Sequence, residues 1–466
     1  MTPSDDTPLI DTGEPEREGP SPVLICAGQA VASVPTDGVR VFEIGRGLEL
    51  GRGHQHGLHG VPRFETVDPH MSRVHALVRR APNGAVTIRD LGSRNGVLVN
   101  GVPIDQEVQL EDGSVLFVGA HVFVCRSMSP EHLEAVTMER ASPFGPVPTL
   151  SPHLARLCMR LRRLAASDVD LLLGGETGVG KEIFAQSIHR ASKRRGPLVA
   201  INCAALPDTL LESELFGYAR GAHSMAEHGK QGLIEQAEGG TLFLDEIGEM
   251  SGTAQSKLLR FLQDRLVLPL GSTTHRRLNV RVIAATRRAV ALCDDASGVR
   301  FDLAARLGPE PLMLPPLRTR PEDIGLLTRF FLRDSPRPFD IRAYRALFTH
   351  KWPGNVRELE KTLQMAAVLS EEQRQIHPEH LGFGYGPDST LSDGLLNPAD
   401  LPDAFGSIGA AEAQAARPTP EALATLLTRH QGNVAEVARE LHRQRTLVWR
   451  WLRQAGIDPA RYRPTA

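Results

Sequence analysis

The stretch Asp170–Glu182, DLLLGGETGVGKE, joins an apolar run to Gly-x-x-x-x-Gly-Lys, with Gly175, Gly180 and Lys181 in the fixed places. Between them Glu176, Thr177, Gly178 and Val179 form a loop whose backbone N–H groups can close around phosphate oxygens. The N-terminus of the following helix adds positive potential. Lys181 supplies a point charge for the β- and γ-phosphates. Where many such loops place Ser or Thr for Mg²⁺, this one has Glu182. About sixty residues further on, GGTLFLDE ends an apolar run in Asp245-Glu246. That placement suits Asp245 to the water shell of a metal and Glu246 to polarising an attacking water. The bland alternative is a glycine-rich turn and a solvated acidic pair.

The elements that must position these groups follow from the pattern along the chain. Its 466 residues allow two to four domains. Met1–Pro20 holds six acids, one Arg and four prolines, too little apolar surface to offset the entropy of ordering, and reads as a disordered acidic tail over 1–22. From 23 to 126, short apolar runs such as VRVFEI, AVTIRD and SVLFVG alternate with turn residues, which predicts an all-β sandwich. A Ser/Pro-rich linker over 127–150 follows. From 151 to 383, apolar strands alternate with helical stretches in the manner of an α/β sheet. A second linker, 384–420, is rich in Ala, Gly, Pro and Asp, and 421–463 has helical periodicity with breaks, a small all-α module.

Charge and cysteine usage narrow the class. Fifty-three Lys and Arg stand against 55 Asp and Glu, so contact with nucleic acid needs a local patch. Five scattered cysteines without a CxxC pair argue against zinc or a disulfide framework and for a reducing cytosol. No apolar run approaches the roughly 18 residues of a membrane span. A cytoplasmic protein is expected.

The motifs GGETGVGKE, INCAAL, ESELFGYARGA, GGTLFLDEIGEM, SKLLRFLQD, VRVIAAT and WPGNVRELE resemble, in order, the AAA+ domain of bacterial sigma-54-dependent enhancer-binding regulators. The resemblance covers about half the chain and implies an ATPase with an α-helical lid, using ATP and Mg²⁺, with Asp245 on the metal and Glu182 typical after the lysine. It implies that Asn202 restrains catalytic Glu246 until nucleotide is sensed. Arg300 and Arg306 match the arginine fingers that reach a neighbouring subunit, and Arg357 matches the sensor arginine of the lid. Groups acting in trans imply a ring, in the family a hexamer. Two departures stand out: Arg287 occupies a position usually held by Asn, and Ala304-Ala305 replace aromatics between the two fingers. They leave ATP turnover, and its coupling to movement, open.

Near the N-terminus, GLELGRG, HMSRVHA and DLGSRNGVLVNG resemble the forkhead-associated (FHA) domain. Arg52 offers a charge-assisted fork to a phosphothreonine, Ser72 a hydroxyl, and Arg73 and Arg94 further charge. Asn95 can bond the peptide beyond the phosphate, while His75 braces the loop from inside. The plain alternative is a sandwich with charged loops and no ligand. The acidic tail contains DDTPLI, so phosphorylated Thr7 is a candidate internal or neighbouring ligand, beside a phosphothreonine-containing partner protein.

Toward the C-terminus, Arg429–Arg463 carries eight Arg and three acids in a helix–turn–helix layout similar to the Fis type. Arg443, Arg445, Arg450 and Arg453 are the expected DNA contacts. A helical oligomerisation tail is the alternative.

One segment departs from the family's output loop. Where the family has GAFTGA, which engages sigma-54, this chain has Gly221-Ala222-His223-Ser224-Met225-Ala226. His223 replaces an aromatic, Ser224 keeps the hydroxyl, and Met225 replaces a glycine. Loss of a central aromatic anchor commonly costs about 2 kcal/mol or more. The reading is a multidomain DNA-binding regulator whose ATPase ring is gated by phosphothreonine and contacts sigma-54 RNA polymerase. Two alternatives stand beside it: a regulator that binds ATP and DNA without remodelling sigma-54, and a phosphoprotein adaptor with a degenerate ATPase.

Overall fold

The computed structural model describes residues 20–30, 41–53, 60–221, 228–287, 298–308, 310–373, 375–383 and 420–430, together with 437, 440 and 462. Residues up to Leu396 form one compact unit, and Asn397–Ala466 form a second.

The first unit opens with a sandwich of short strands: β1 (Ser21–Gln29), β2 (Val41–Glu43), β3 (Gly47–Arg52), β4 (Arg63–Thr66), β5 (Ala76–Arg80) and β6 (Val86–Asp90). It continues with β7 (Val97–Val99), β8 (Val102–Pro103), β9 (Val108–Leu110), β10 (Val115–Val118) and β11 (His121–Met128). One sheet has the order β2-β1-β11-β10-β7-β8 and the other β4-β3-β5-β6-β9. Alternation puts Leu24, Leu48, Leu50, Val78, Ile88, Leu116 and Phe123 between the sheets. The expected all-β sandwich is therefore present, and its last strand runs two residues past Arg126.

Residues 127–150 are not a free connector. They contain α1 (Pro130–Ala141), whose N-cap Ser129 and His132 bond each other's backbone in a capping box. Ala135 and Val136 of α1 pack with Val23, Ile25, Met128 and Leu150. Few apolar positions in this stretch mark its helical face, which explains why composition suggested a linker.

The central fold is α/β. Its elements are α2 (Pro152–Ala165), β12 (Leu171–Gly174), α3 (Lys181–Ala191), β13 (Leu198–Asn202), α4 (Asp208–Phe216), α5 (Leu233–Gln236), β14 (Thr241–Asp245), α6 (Gly252–Asp264), β15 (Leu266–Val267), β16 (Arg276–Arg277), β17 (Arg281–Thr286), α7 (Phe301–Leu307) and β18 (Leu312–Met313). The sheet order is β13-β14-β17-β12-β18, and all its pairs are parallel. Helices cover both faces, so β12 and β17 are buried throughout, as their unbroken apolar runs require. Arg281 is fully buried yet satisfied: its guanidinium donates to the carbonyls of Leu164, Ala165 and Val169 at 2.9–3.2 Å. It thereby caps the C-terminal end of α2 and fixes the start of β17.

Three helices, α8 (Ile324–Phe331), α9 (Ile341–Thr349) and α10 (Asn355–Leu369), form the lid. Asp340 caps α9, accepting from the N–H groups of Arg342 and Ala343. The outer face of the sandwich and the lid share a single core, in which Ala27, Phe117, Val122 and Val124 pack with Ile324, Phe339, Tyr344, Phe348 and Trp352. Phe117 meets Phe348 edge to face, with ring centroids 6.5 Å apart. The approach is close enough that a Cβ on Gly325 would lie 1.8 Å from the Ala27 carbonyl. Phe339 N–H donates to Ala30 at 2.9 Å, and Arg345 donates to the Gly119 carbonyl at 3.2 Å.

In the second unit, α11 (Pro420–Arg429) is described, with Leu423, Leu427 and Val437 buried. Glu440 pairs with Arg429 and His430. Arg443, Arg445, Arg450 and Arg453 lie outside the described residues, as do His223, Ser224 and Met225.

Candidate nucleotide and phosphopeptide sites

Strand β12 delivers the glycine loop to the carboxyl edge of the sheet, where parallel α/β folds bind ligands. The cavity there holds about 670 Å³ and is lined by Thr177–Glu182, Asn202, Asp245, Glu246, Arg287 and Arg357, among others. That volume is in the range of a small-molecule site. Lys181 is buried at the start of α3, and its Nζ donates to the carbonyls of Gly175 (2.9 Å) and Glu176 (3.4 Å).

The lid holds this loop from outside. Arg318 makes a fork to the Glu176 carboxylate at 2.7 and 2.6 Å, and this arginine draws Glu176 below the usual carboxylate range. Asn355 donates to Glu176 (3.1 Å) and to the Thr177 carbonyl (3.0 Å), while its own Oδ1 accepts from Leu317 N–H. Arg357 N–H reaches Gly178 O at 3.3 Å. A Cβ on Gly178 would sit 2.2 Å from the Gly354 carbonyl, so this contact admits glycine alone. Arg318 and Asn355 escaped the sequence reading. Asn355 stands inside the quoted WPGNVRELE, but a partner 142 residues distant from Arg318 leaves no local signal.

At the end of β14, Asp245 and Glu246 line the cavity. Burial, and then the adjacent Glu246, push the Asp245 carboxyl upward, a strain that a divalent cation beside it would relieve. The residues present thus fit a phosphate chain with its cation. Glu246 adopts φ 55° and ψ 51°, a left-handed conformation uncommon for a residue other than glycine and often kept where it serves a site.

The partners of Glu246 differ from expectation. Asn202 lies opposite Asp245 in the sheet register, but its side-chain oxygen accepts from Ala204 N–H at 2.9 Å, capping the short turn that follows β13. Glu246 Oε1 instead faces Lys181 Nζ at 3.5 Å. Its Oε2 accepts from Arg287 N–H at 3.2 Å and faces Arg287 Nε at 3.1 Å. Arg287 also bonds Glu249 through Nη2 at 2.8 Å.

The two finger candidates sit apart from this cavity. Arg300, at the start of α7, forks onto Asp302 (3.1 and 2.7 Å) and donates to Ser256 Oγ. Arg306 donates to the Leu262 carbonyl at 3.3–3.4 Å. Both are exposed.

On the sandwich, the end of β3 and the loops before β5 and after β6 bring Arg52, Ser72, Arg73, Arg94 and Asn95 to one edge, where Arg52 N–H donates to the Ser72 carbonyl at 2.9 Å. Arg52, Arg73, Arg94 and Asn95 are exposed. Ser72 Oγ accepts from Arg94 N–H at 3.1 Å, and Asn95 Nδ2 donates to the His70 carbonyl at 2.7 Å. His75 is fully buried beneath them. Its Nδ1 accepts from Ser72 N–H (3.0 Å), which leaves Nε2 to donate to Gly96 O (3.1 Å). Burial holds this imidazole below its ordinary pKa, in keeping with the neutral form. The inward bracing read for His75 is present.

Fold and site define a P-loop AAA+ ATPase domain with a helical lid, preceded by an FHA sandwich. Residues 148–312 match the sigma-54 interaction domain, 318–390 the AAA+ ATPase lid domain and 43–119 the FHA domain. The match to the sigma-54 interaction domain spans the central part of the chain. It is similar to transcriptional regulatory protein GlrR of Escherichia coli (strain K12), 48% identical over 230 residues, covering 48% of this chain and 52% of that one. It is also similar to nitric oxide reductase transcription regulator NorR1 of Cupriavidus necator (43% over 315 residues; 62% and 60%). Regulatory protein LuxO of Vibrio cholerae serotype O1 is 38% identical over 317 residues (64% and 59%). The chain thus spans just over half the length of these relatives. Among solved structures, NtrX from Brucella abortus in complex with ADP is 28% identical, covering 70% of this chain and 73% of that one, with a TM-score of 0.47. Among the described residues, no helix is long and apolar enough to cross a membrane.

Proposed function

We propose that this chain is a cytoplasmic, DNA-binding transcription regulator whose AAA+ domains assemble into an ATP-hydrolysing ring gated by phosphothreonine at the FHA domain. The observation that supports it is the convergence of Lys181, Asp245, Glu246 and Arg357 on one cavity. Lys181 would hold the phosphates and Asp245 the water shell of Mg²⁺, while Glu246 is placed to accept a proton from an attacking water. Bound Mg²⁺·ATP supplies the electrophilic γ-phosphoryl group. Arg300 and Arg306 act on the adjacent subunit, and such fingers are worth about 10³-fold or more in rate. Arg52 and Ser72 take the phosphate of a partner protein or of phosphorylated Thr7. The C-terminal arginines carry the DNA contact.

Engagement of sigma-54 polymerase is expected to be weak, because His223 and Met225 replace an aromatic and a glycine at the output tip. The test measures ATP hydrolysis by the full chain against protein concentration, with and without a phosphothreonine peptide matching the tail. Turnover that rises steeply with concentration and shifts with the peptide is expected. Concentration-independent turnover that ignores the peptide overturns the reading.

A further inference from the structure

Both oxygens of the Glu246 carboxylate face cations. Lys181 Nζ stands 3.5 Å from Oε1, and Arg287 approaches Oε2 from its backbone N–H (3.2 Å) and its Nε (3.1 Å). These two restraints differ in kind. Lys181 is held otherwise by loop carbonyls, which the phosphates of an entering nucleotide would replace, so its hold on Glu246 would be conditional. Arg287 has no such alternative built into the loop. It follows directly on β17, and its Nη2 is anchored on Glu249 in the short turn after β14. The guanidinium therefore bridges Glu246 and Glu249 across one turn of chain.

A general base needs a lone pair aimed at water and enough basicity to take its proton. Two donors on the same oxygen occupy the Oε2 lone pairs that a water would otherwise meet. Being half-exposed, the guanidinium acts with its charge partly screened by water, which limits the effect to a modest factor.

We infer that Arg287 is a positioning residue that clamps the Glu246 carboxylate through Oε2 and acts as a built-in brake on ATP hydrolysis, persisting after nucleotide has drawn Lys181 away. This rests on the hydrolysis proposed above. Since the backbone N–H bond survives substitution, removing the guanidinium keeps Glu246 in the site while freeing the Oε2 lone pair that Nε faces.

The experiment compares full-length wild-type protein with Arg287→Gln and Arg287→Lys, using Mg²⁺·ATP turnover and, in parallel, binding of a fluorescent ATP analogue. Arg287→Gln is expected to raise kcat about tenfold, a fraction of the 10²–10⁴ that a general base contributes. The KM for ATP and the analogue's affinity should change less than about twofold, since Arg287 acts through Glu246 rather than on phosphate. Arg287→Lys, which keeps a cation near the carboxylate, should stay near the wild-type rate. Unchanged or reduced kcat in Arg287→Gln overturns the brake while leaving the ATPase reading standing. A large rise in KM overturns it too, because Arg287 would then contact nucleotide. Nucleotide binding without turnover in both wild type and Arg287→Gln sinks the brake and the ATPase reading together, whereas turnover only in Arg287→Gln supports the brake.

Discussion

Arg126, in the last strand of the sandwich, forks onto Glu322 ahead of the first lid helix, with Nε–Oε1 at 3.2 Å and Nη2–Oε2 at 2.7 Å. Both side chains are buried, and Arg126 also donates to the Thr319 carbonyl and to Asp112. Burial pushes the Glu322 carboxyl up to about 7, while Glu322 holds Arg126 firmly charged against the cost of its own burial. Removing one partner leaves the other buried without compensation. Arg126→Met is therefore expected to cost about 3–5 kcal/mol in chemical denaturation and to open the FHA–lid junction to limited proteolysis. Arg126→Met with Glu322→Leu should recover most of that loss, since an apolar pair of similar volume is often as stable.

The nucleotide site predicts separable defects. Lys181→Ala should abolish ATP binding measured by calorimetry, and Glu246→Gln should bind ATP without turning it over. Arg300→Ala should keep binding and lower turnover by about 10³-fold. Preserved turnover in Arg300→Ala would assign the finger to Arg306 or remove it from the reaction.

His75 gives the sandwich a pH dependence. Its folded-state pKa lies below the ordinary 6.5, so the unfolded chain takes up the proton first as pH falls. The contribution to stability is complete above 6.5 and declines below it, because protonating Nδ1 breaks its bond from Ser72 N–H. Thermal unfolding of wild type and of His75→Asn should differ by a constant amount above that pH and converge below it. A difference that stays constant down to pH 5 would show that the imidazole does not titrate with folding.

The distal modules are tested by removal and repair. Truncation before Pro420 should eliminate specific DNA footprints while sparing ATPase activity. His223→Phe with Met225→Gly should raise sigma-54 binding in the presence of a transition-state analogue, by roughly thirtyfold if one aromatic anchor of about 2 kcal/mol is restored. Strong sigma-54-dependent transcription by the unaltered protein would refute the weak-tip reading.

The parts of the site that lie close together in sequence were legible from it. Lys181 and its glycines share one loop, and Asp245-Glu246 end one apolar strand, so spacing alone assigned them. The partners of Glu246 were not legible in the same way. Asn202 turned to cap its own chain, and Arg287, already out of pattern, took the carboxylate through a register between parallel strands that sequence does not print. The union of sandwich and lid was hidden for a similar reason. Phe117 and Val122 read as ordinary sandwich residues, and only the fold shows which of them face Phe348 rather than the other sheet. Arg126 and Glu322 are separated by 196 positions.

The core shared by sandwich and lid has a mechanical meaning. Arg318, just ahead of the lid helices, and Asn355 and Arg357 on α10 contact the glycine loop, and the lid helices pack against the FHA domain on another side. If the lid turns when nucleotide enters or leaves, the shared core makes the FHA edge turn with it, as a gear turns its shaft. A small phosphopeptide rides along at little cost. A large phosphoprotein held there and anchored elsewhere would instead load that shaft and resist its turning. Two ligands with the same phosphothreonine motif would then differ in effect according to what they are attached to, and linkage requires that nucleotide alter the affinity for each reciprocally.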